Sequence, residues 1–475
     1  MNSAWVKLAL WEVDLYLWQS ASYLYRLVGI VGNWRQSSWL LQYSEFIGAL
    51  LISLLLAIAP FVSTSAIGIF LIAGAMFWGL LTLSDDTRSG VTSIHLLVFL
   101  YWCIATVAMA FSPEFSAAVS GWVKLTLYLV FFALATRVLR SPAICSWIIT
   151  IFLHVSLIVS IYGVRQQFYG ARQLATWNDP NSALAQDTRV YSYLGNPNLL
   201  AGYLITAIAL SIAAVFVWQR WLPKALALII LIVNSSCLYF TDSRGGWIGM
   251  LALTLTFLLL LRYWWKDYLP RFWRTWLLPI VFGSLAGLLI AALLVVEPLR
   301  LRVLSIFAGR EDSSNNFRIN VWLAVFDMIR DRPLIGIGPG NEVFNLVYPR
   351  YMRTGYTALS AYSIFLEILV EVGLIGLGCF LWLIVVAFDR GVRQLERLRL
   401  ERNLQGFWLM GAIAATVGML AHGVVDTVWY RPQIQTLWWL AIAIIASKIS
   451  DSKETPSDLK NVSSHEPSLA RPDGA

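Results

Sequence analysis

The run Thr241-Asp242-Ser243-Arg244-Gly245-Gly246-Trp247 sets a guanidinium where one apolar stretch ends and the next begins, beside two glycines. The first amides of the following helix would point toward that spot, so charge and helix N-terminus together suit an anion. A snorkelling boundary arginine, or an ion pair with Asp242, would leave the same pattern. Arg318, in Ser314-Asn315-Asn316-Phe317-Arg318, opens an amphipathic stretch and would complete a two-arginine clamp; taken alone it also reads as a solvated loop residue. Asn196 and Asn198, in Tyr191-Ser192-Tyr193-Leu194-Gly195-Asn196-Pro197-Asn198, stand beside these as anion contacts, or as caps of the helix that follows.

A second group lies within or near the later apolar stretches: Glu367, Glu371, His422 and Asp426. Ionisable side chains at membrane depth are costly without a partner and so point to function. Glu367 and Glu371 are four apart and share a helical face, and His422 and Asp426 repeat that spacing. The His–Asp pair would relay protons, bind an anion or form a structural link between helices. No GxxxxGK[ST] phosphate loop and no HExxH occurs, and no His/Cys cluster has metal-ligand spacing, so neither a cofactor nor a metal is expected. Cys103, Cys145, Cys237 and Cys379 all sit in apolar stretches and read as small buried hydrophobes.

The elements that must carry these residues are membrane helices. Of 475 residues, 58% are hydrophobic and 13% charged, with a mean hydropathy of +0.67, which leaves too little polar surface for a soluble domain. Twelve segments reach the roughly 20 apolar residues that a span needs: 44–63, 65–83, 94–112, 119–138, 143–163, 196–218, 223–241, 245–263, 275–296, 361–388, 404–427 and 433–449. An even number puts both ends on one side. With the termini inside, 17 Lys and Arg fall in inner segments ahead of the tail, against five in the shorter outer ones, namely Arg165, Arg172, Arg189, Arg244 and Arg431. The positive-inside rule therefore makes both termini cytoplasmic, with the plasma membrane the default host. The net charge of +8 is topological, and no nucleic-acid arm is present.

Residues 1–43, with Trp5, Trp11, Tyr16 and Trp18 among Glu12 and Asp14, suit an amphipathic helix lying in the interface. Two outer loops remain, 164–195 and 297–360. In the second, Trp322, Val325, Phe326 and Ile329 share a helical face before Pro333 and Gly336-Ile337-Gly338-Pro339-Gly340-Asn341 break the helix. From Asp451 the chain is polar and rich in Pro and Ser, the composition of a disordered cytoplasmic tail.

Arg244, Arg318 with Trp322, Pro333-Leu334-Ile335-Gly336-Ile337-Gly338 and Gly373-Leu374-Ile375-Gly376 together resemble the O-antigen ligase and polymerase superfamily over roughly 160–430. The longer runs Tyr191–Leu200, Ser243–Trp247, Gly309–Trp322 and Leu359–Ser363 are similar to the cyanobacterial IctB family, over nearly the whole chain except the tail. The first resemblance implies an all-α polytopic fold of about 12 helices, of GT-C type, with a large outer loop before the tenth. It also implies transfer of glycans from lipid-linked pyrophosphate donors, with Arg244 and Arg318 on the pyrophosphate. The second implies a part in inorganic-carbon accumulation. In the ligase motif a His and a polar residue precede GxxG by nine residues; here Tyr362-Ser363 hold that place ahead of Gly373. A phenol titrates near pH 10 and is a poor base at neutral pH.

Two readings follow, with membrane lipid as the surroundings of both. In one, Arg244 and Arg318 bind bicarbonate for uptake, with Glu367, Glu371 or Asp426 coupling a second ion. An inside-negative potential would oppose that entry by roughly 2.3 kcal/mol per 100 mV. In the other, the same arginines hold a polyprenyl diphosphate glycan, and Tyr362, His422 and Asp426 are the candidates for catalysis. A protein that kept the fold and lost the activity is a third. Geometry separates them: Arg244, Arg318 and Tyr362 around one large outward cavity beside a lipid-facing groove would favour the transferase, and a continuous polar path reaching the cytoplasmic side near Glu371 would favour transport.

Overall fold

The computed structural model describes residues 3–10, 28–30, 32–84, 91–172, 174 and 188–449. The expected tail from Asp451 lies outside them, as does the part of the interfacial segment at 11–27, with Trp11, Tyr16 and Trp18. Three short helices represent the rest of that segment: α1 (Ser3–Leu8), α2 (Gly32–Ser37) and α3 (Trp39–Gln42). Twelve apolar helices follow the twelve expected segments: α4 (Ser44–Ile58), α5 (Thr64–Leu83), α6 (Ser93–Ala110), α7 (Phe115–Val138), α8 (Pro142–Tyr169), α9 (Pro197–Val217), α10 (Trp221–Phe240), α11 (Arg244–Trp264), α12 (Arg271–Val295), then α16 (Ile364–Leu400), α17 (Gln405–Gly423) and α18 (Pro432–Ser447). Ten of these are long and apolar enough to cross a bilayer. The other two, α4 and α18, have 15 and 16 residues, or ~22–24 Å of helix at 1.5 Å per residue, short of a ~30 Å hydrocarbon core. No strand occurs among the described residues, and the chain is an all-α polytopic membrane protein.

Helix starts follow local chemistry. Asn196 caps α9 by accepting from the amides of Asn198 and Leu199, Ser243 caps α11 through the Gly246 amide, and proline begins α8, α9 and α18, where a missing N–H costs nothing. Among the ten long helices the most enclosed is α17, packed against α9, α11, α16 and α18. At the other extreme, α12 buries none of its residues, as an apolar helix facing lipid would.

The expected long loop 297–360 is a folded lobe. It holds α13 (Glu297–Phe307), α14 (Ser313–Asp331) and α15 (Asn341–Val347), and Val321, Ala324, Val325, Met328, Val343 and Phe344 form a second hydrophobic core there. The expected face of α14 is therefore rotated. Val321 and Ala324 replace Phe326, which is 46% exposed, because the helix packs against α15 and the Ala361 segment rather than lying on the membrane. Trp322 spends its indole N–H on the Ala361 carbonyl at 3.0 Å. The other expected loop, 164–195, is shortened by α8, which continues to Tyr169.

The lobe enters the membrane domain at one point. Segment 361–388 reads as one apolar run, but α16 breaks at Gly373, whose φ of 67° and ψ of −172° are not helical. Pro333–Gly338 fills the break. Leu374 N–H donates to Pro333 O at 2.8 Å, while Ile337 and Gly338 N–H donate to Val370 O and Glu371 O, each at 2.9 Å. Backbone at membrane depth must be satisfied from within the protein, and this loop does so on both sides of the break. No side chain fits there: a Cβ on Gly373 would stand 2.1 Å from Leu334 O. One on Gly121 of α7 would stand 2.0 Å from Pro339 O.

Candidate functional site

Two regions meet on the side of the membrane domain that carries the lobe. The first is a network of guanidinium and carboxylate groups. Arg244, the first residue of α11, reaches Asp312 at 2.9 Å and the hydroxyl and carbonyl of Ser305 at 3.1 and 3.0 Å. Asp312 also caps α14 through the Asn315 amide, so Arg244 docks on the lobe at a helix start. One turn into α14, Arg318 bonds Ser314 Oγ at 2.5 Å and the Val425 carbonyl at 2.8 Å, and it pairs with Asp426 at 3.6 Å. Asp426 accepts from Asn198 at 2.5 Å, and Asn198 in turn accepts from Arg189 at 3.1 Å. Arg302 of α13 pairs with Asp242 at 3.0 Å.

The two arginines singled out in the sequence thus come to the same end of α14, but each faces its own carboxylate rather than an open anion clamp. Burial, then neighbouring Arg302, brings Arg189 down to about 10. Burial also lowers Arg302, against the pull of Asp242. At Asp312 burial alone would raise the carboxyl; the Arg244 hydrogen bond and the Asn315 amide outweigh it and hold the group below its usual range. Arg189, Arg302 and Asp312 were missed in the sequence, since a loop arginine reveals its partner only through tertiary contacts.

The second region is a cavity of about 610 Å³ among α5, α6, α7, α16, α18 and the loops ahead of α15 and α18. Rings of Tyr101, Tyr128, Phe380, Trp429, Tyr430 and Trp439 line it, with Glu367 and Glu371 on one wall and Lys124, Glu342 and Arg431 also lining it. Several lining groups hold buried polar atoms with no hydrogen-bond partner among the described residues: Glu367 Oε1, Thr427 Oγ1, Trp429 Nε1, Gln435 Oε1 and Trp439 Nε1. Such orphans in a native fold call for an explanation, because each costs about 1–3 kcal/mol. Glu367 is held by its other oxygen, which accepts the Ala361 amide at 2.6 Å. Glu371 sits two residues before the helix break.

The network and the cavity share a wall at Asp426-Thr427, the carboxylate in the network and the hydroxyl on the cavity. Neither Arg244, Arg318 nor Tyr362 lines the cavity, so the expected arrangement of the three around one outward cavity is not found; each arginine is taken by its own carboxylate instead. Tyr362 stands edge-on to Phe317, with ring centroids 5.4 Å apart, and Arg318 lies 6.0 Å from its ring centre. Burial, with Asp426 and Tyr430 adding, pushes its phenol up to about 12, away from any use as a base at neutral pH. Its φ of 51° is left-handed, like the 53° of Asp242, a strained geometry that clusters at working sites. The expected His422–Asp426 pair does not form. No hydrogen bond joins the two among the described residues; His422 packs on Gly202, Gly245 and Gly249, where any side chain would collide, and Asp426 is taken by Asn198 and Arg318. Asn196 is a cap, whereas Asn198 belongs to the network.

Fold and site together define a multi-pass α-helical membrane protein with a lobe inserted between its ninth and tenth apolar helices. Residues 227–381 match the family described as O-antigen ligase, and that stretch carries Arg244, Arg302, Arg318, Tyr362, Glu367 and Glu371. His422, Asp426, Thr427 and the Trp429–Trp439 wall lie beyond the match. No curated protein matches the chain.

Proposed function

We propose that the protein is a membrane glycosyltransferase of the O-antigen ligase type, taking sugar from a polyprenyl diphosphate donor on the outer face. The shared wall carries this reading: a four-arginine network adjoins a cavity whose lining suits a sugar. Aromatic faces with a mixture of unpaired donors and acceptors match the C–H faces and hydroxyls of a pyranose. Arginine forks match diphosphate oxygens, and the network gathers Arg189, Arg244, Arg302 and Arg318 in one region. A donor diphosphate would displace Asp312 and Asp426 from Arg244 and Arg318, exchanging one set of charge-assisted bonds for another. Orientation follows from the Lys and Arg asymmetry, with both termini cytoplasmic and the lobe outside.

The test uses purified protein with a polyprenyl diphosphate oligosaccharide, compared with the same lipid as a monophosphate. Native mass spectrometry reads donor binding, and chromatography of labelled glycan reads transfer. Binding that prefers the diphosphate and weakens at least ~10-fold in Arg244→Ala and Arg318→Ala supports the reading, at about 1.5–3 kcal/mol per charged hydrogen bond. Liposomes with labelled bicarbonate run alongside. Uptake abolished by the same two substitutions, with no donor bound, would replace transfer by anion transport.

A further inference from the structure

We infer that Glu367, and not Tyr362, takes the proton from the acceptor hydroxyl during glycosyl transfer. This rests on the transferase reading above and assigns its base. The position that the ligase motif gives to histidine holds a phenol here, outside the cavity and flanked by Phe317 and Arg318. Asp426 is committed to Arg318 and Asn198. His422 is 1% exposed, shut in by Gly202, Gly245 and Gly249, and does not line the cavity.

Glu367 meets each requirement that those groups miss. It lines the cavity and is 7% exposed, and its Oε1, buried behind the lining, has no hydrogen-bond partner among the described residues. Its second oxygen is fixed by the Ala361 amide, and the Ala361 carbonyl is fixed by Trp322, so the lobe itself aims the carboxylate. A base must come within hydrogen-bond reach of its proton and stay oriented; the Ala361 amide keeps this carboxylate oriented, and its Oε1, just behind the lining, must turn to the cavity when the acceptor binds. Glu371 lies one turn further along α16, about 6 Å at 1.5 Å per residue, beside the break.

The step balances. The acceptor oxygen forms the bond to the anomeric carbon as that carbon's bond to the diphosphate oxygen breaks. The electron pair leaves on the diphosphate, which the arginines hold, and the acceptor's proton passes to Glu367 Oε1. Release of that proton to solvent restores the carboxylate.

The experiment measures donor binding, transfer rate and its pH profile for the full-length protein and for Glu367→Gln, Glu367→Asp, Glu371→Gln and Tyr362→Phe. Glutamine keeps an oxygen for the Ala361 amide and nearly the same volume. Expected for Glu367→Gln are a melting temperature within a few degrees of the parent, donor binding within ~3-fold, and transfer down at least ~100-fold. The acid limb of the rate profile should vanish with it and return, shifted, in Glu367→Asp. Groups facing Glu367 around the cavity, namely Glu371, Tyr101, Tyr128, Lys124, Glu342 and Arg431, would shape that limb, so Glu371→Gln should move it without removing it. Tyr362→Phe should transfer within ~3-fold of the parent. Transfer by Glu367→Gln within ~10-fold, or a ~100-fold loss in Tyr362→Phe, overturns the assignment while leaving the transferase reading intact. A parent protein that binds donor but never transfers, or binds none, overturns both. Should Glu367→Gln fail to fold, Glu367→Asp with its shifted limb decides alone, and an unshifted profile counts against the base.

Discussion

The arginine network and the cavity behind it are neighbours built on opposite rules. In the network nearly every charge has found a partner: Arg244 with Asp312, Arg302 with Asp242, Arg318 with Asp426, Arg189 with Asn198. In the cavity, Glu367, Thr427, Trp429, Gln435 and Trp439 all keep a buried polar atom unpaired. Conspicuous charge and binding capacity are therefore different things. The network is closed in this state by its own carboxylates, whereas the cavity wall holds buried polar groups that no described residue satisfies. The comparison predicts that substitutions in the network cost stability as well as donor binding, and that those in the cavity change binding or transfer with little loss of stability.

The largest effect should come from the element that both regions depend on. Gly373→Ala puts a Cβ 2.1 Å from Leu334 O at a φ of 67°, so Pro333–Gly338 can no longer fill the break in α16. We expect no monodisperse protein by fluorescence-detected size exclusion. The control is Gly378, five residues along the same helix, with nothing within 4 Å of its Cβ position. Gly378→Ala should gain up to about 1 kcal/mol from helix propensity. Equal behaviour of the two variants would show that the loop insertion does not organise the site.

Next comes Arg318→Ala. It strands Asp426, whose side chain is 8% exposed, and should cost about 3–5 kcal/mol, read as a fall in melting temperature in detergent. Asp426→Asn should cost less, because Asn198 and Arg318 can still bond an amide. The pair Arg318→Met with Asp426→Leu should recover most of the loss, since a buried ion pair often gives way to apolar groups at little cost. Acid should loosen the network too. Asp312 is held below its unfolded range, so its contribution is complete above that range and fades as pH falls through the folded value. Arg244→Ala should flatten that acid limb of stability.

Much of this architecture was legible in the residues and some was not. Hydropathy found all twelve apolar helices, because each run is long and its polar flanks are abrupt. Arg244 and Arg318 were legible as partners in one region, since both stand at helix starts on the loop side. Their carboxylates were not: Asp312 is 68 residues from Arg244, and Asp426 more than 100 from Arg318. The break at Gly373 was hidden inside an unbroken apolar run, with Gly336, Gly338 and Gly340 as its one outward sign. Read as loop punctuation, those glycines in fact take φ values of 69°, 107° and 110° to bring backbone against α16 and Gly121. Of the cavity only Glu367 and Glu371 stood out in the sequence, as ionisable groups at membrane depth; its other orphan atoms become orphans only when the chain folds around them.

On the cavity side the expected sign reverses. Thr427→Val removes an unpaired hydroxyl that is 2% exposed, so stability should hold or rise by up to about 1–2 kcal/mol while donor binding weakens several-fold. A melting curve and a donor titration on the same sample read both. Loss of stability without loss of binding would mean that the hydroxyl serves the fold, and the contrast between the two regions would fail at their common wall.

The smallest effect belongs to the cavity's most exposed charges. Lys124 and Glu342 pair at 2.6 Å, but their side chains are 56% and 53% exposed, so water and salt screen them. Lys124→Met should change the melting temperature by no more than about 1 kcal/mol implies, and less at high ionic strength. Its consequence should appear in kinetics instead. An exposed cation at the edge of a cavity raises the local concentration of an anionic donor, and that steering falls with added salt. Donor association should therefore slow in Lys124→Met at low salt and converge with the parent protein as salt rises, with the dissociation rate unchanged. A change in dissociation rate would instead place Lys124 on the bound donor, moving the diphosphate from the arginine network to the cavity and overturning the division of labour between them.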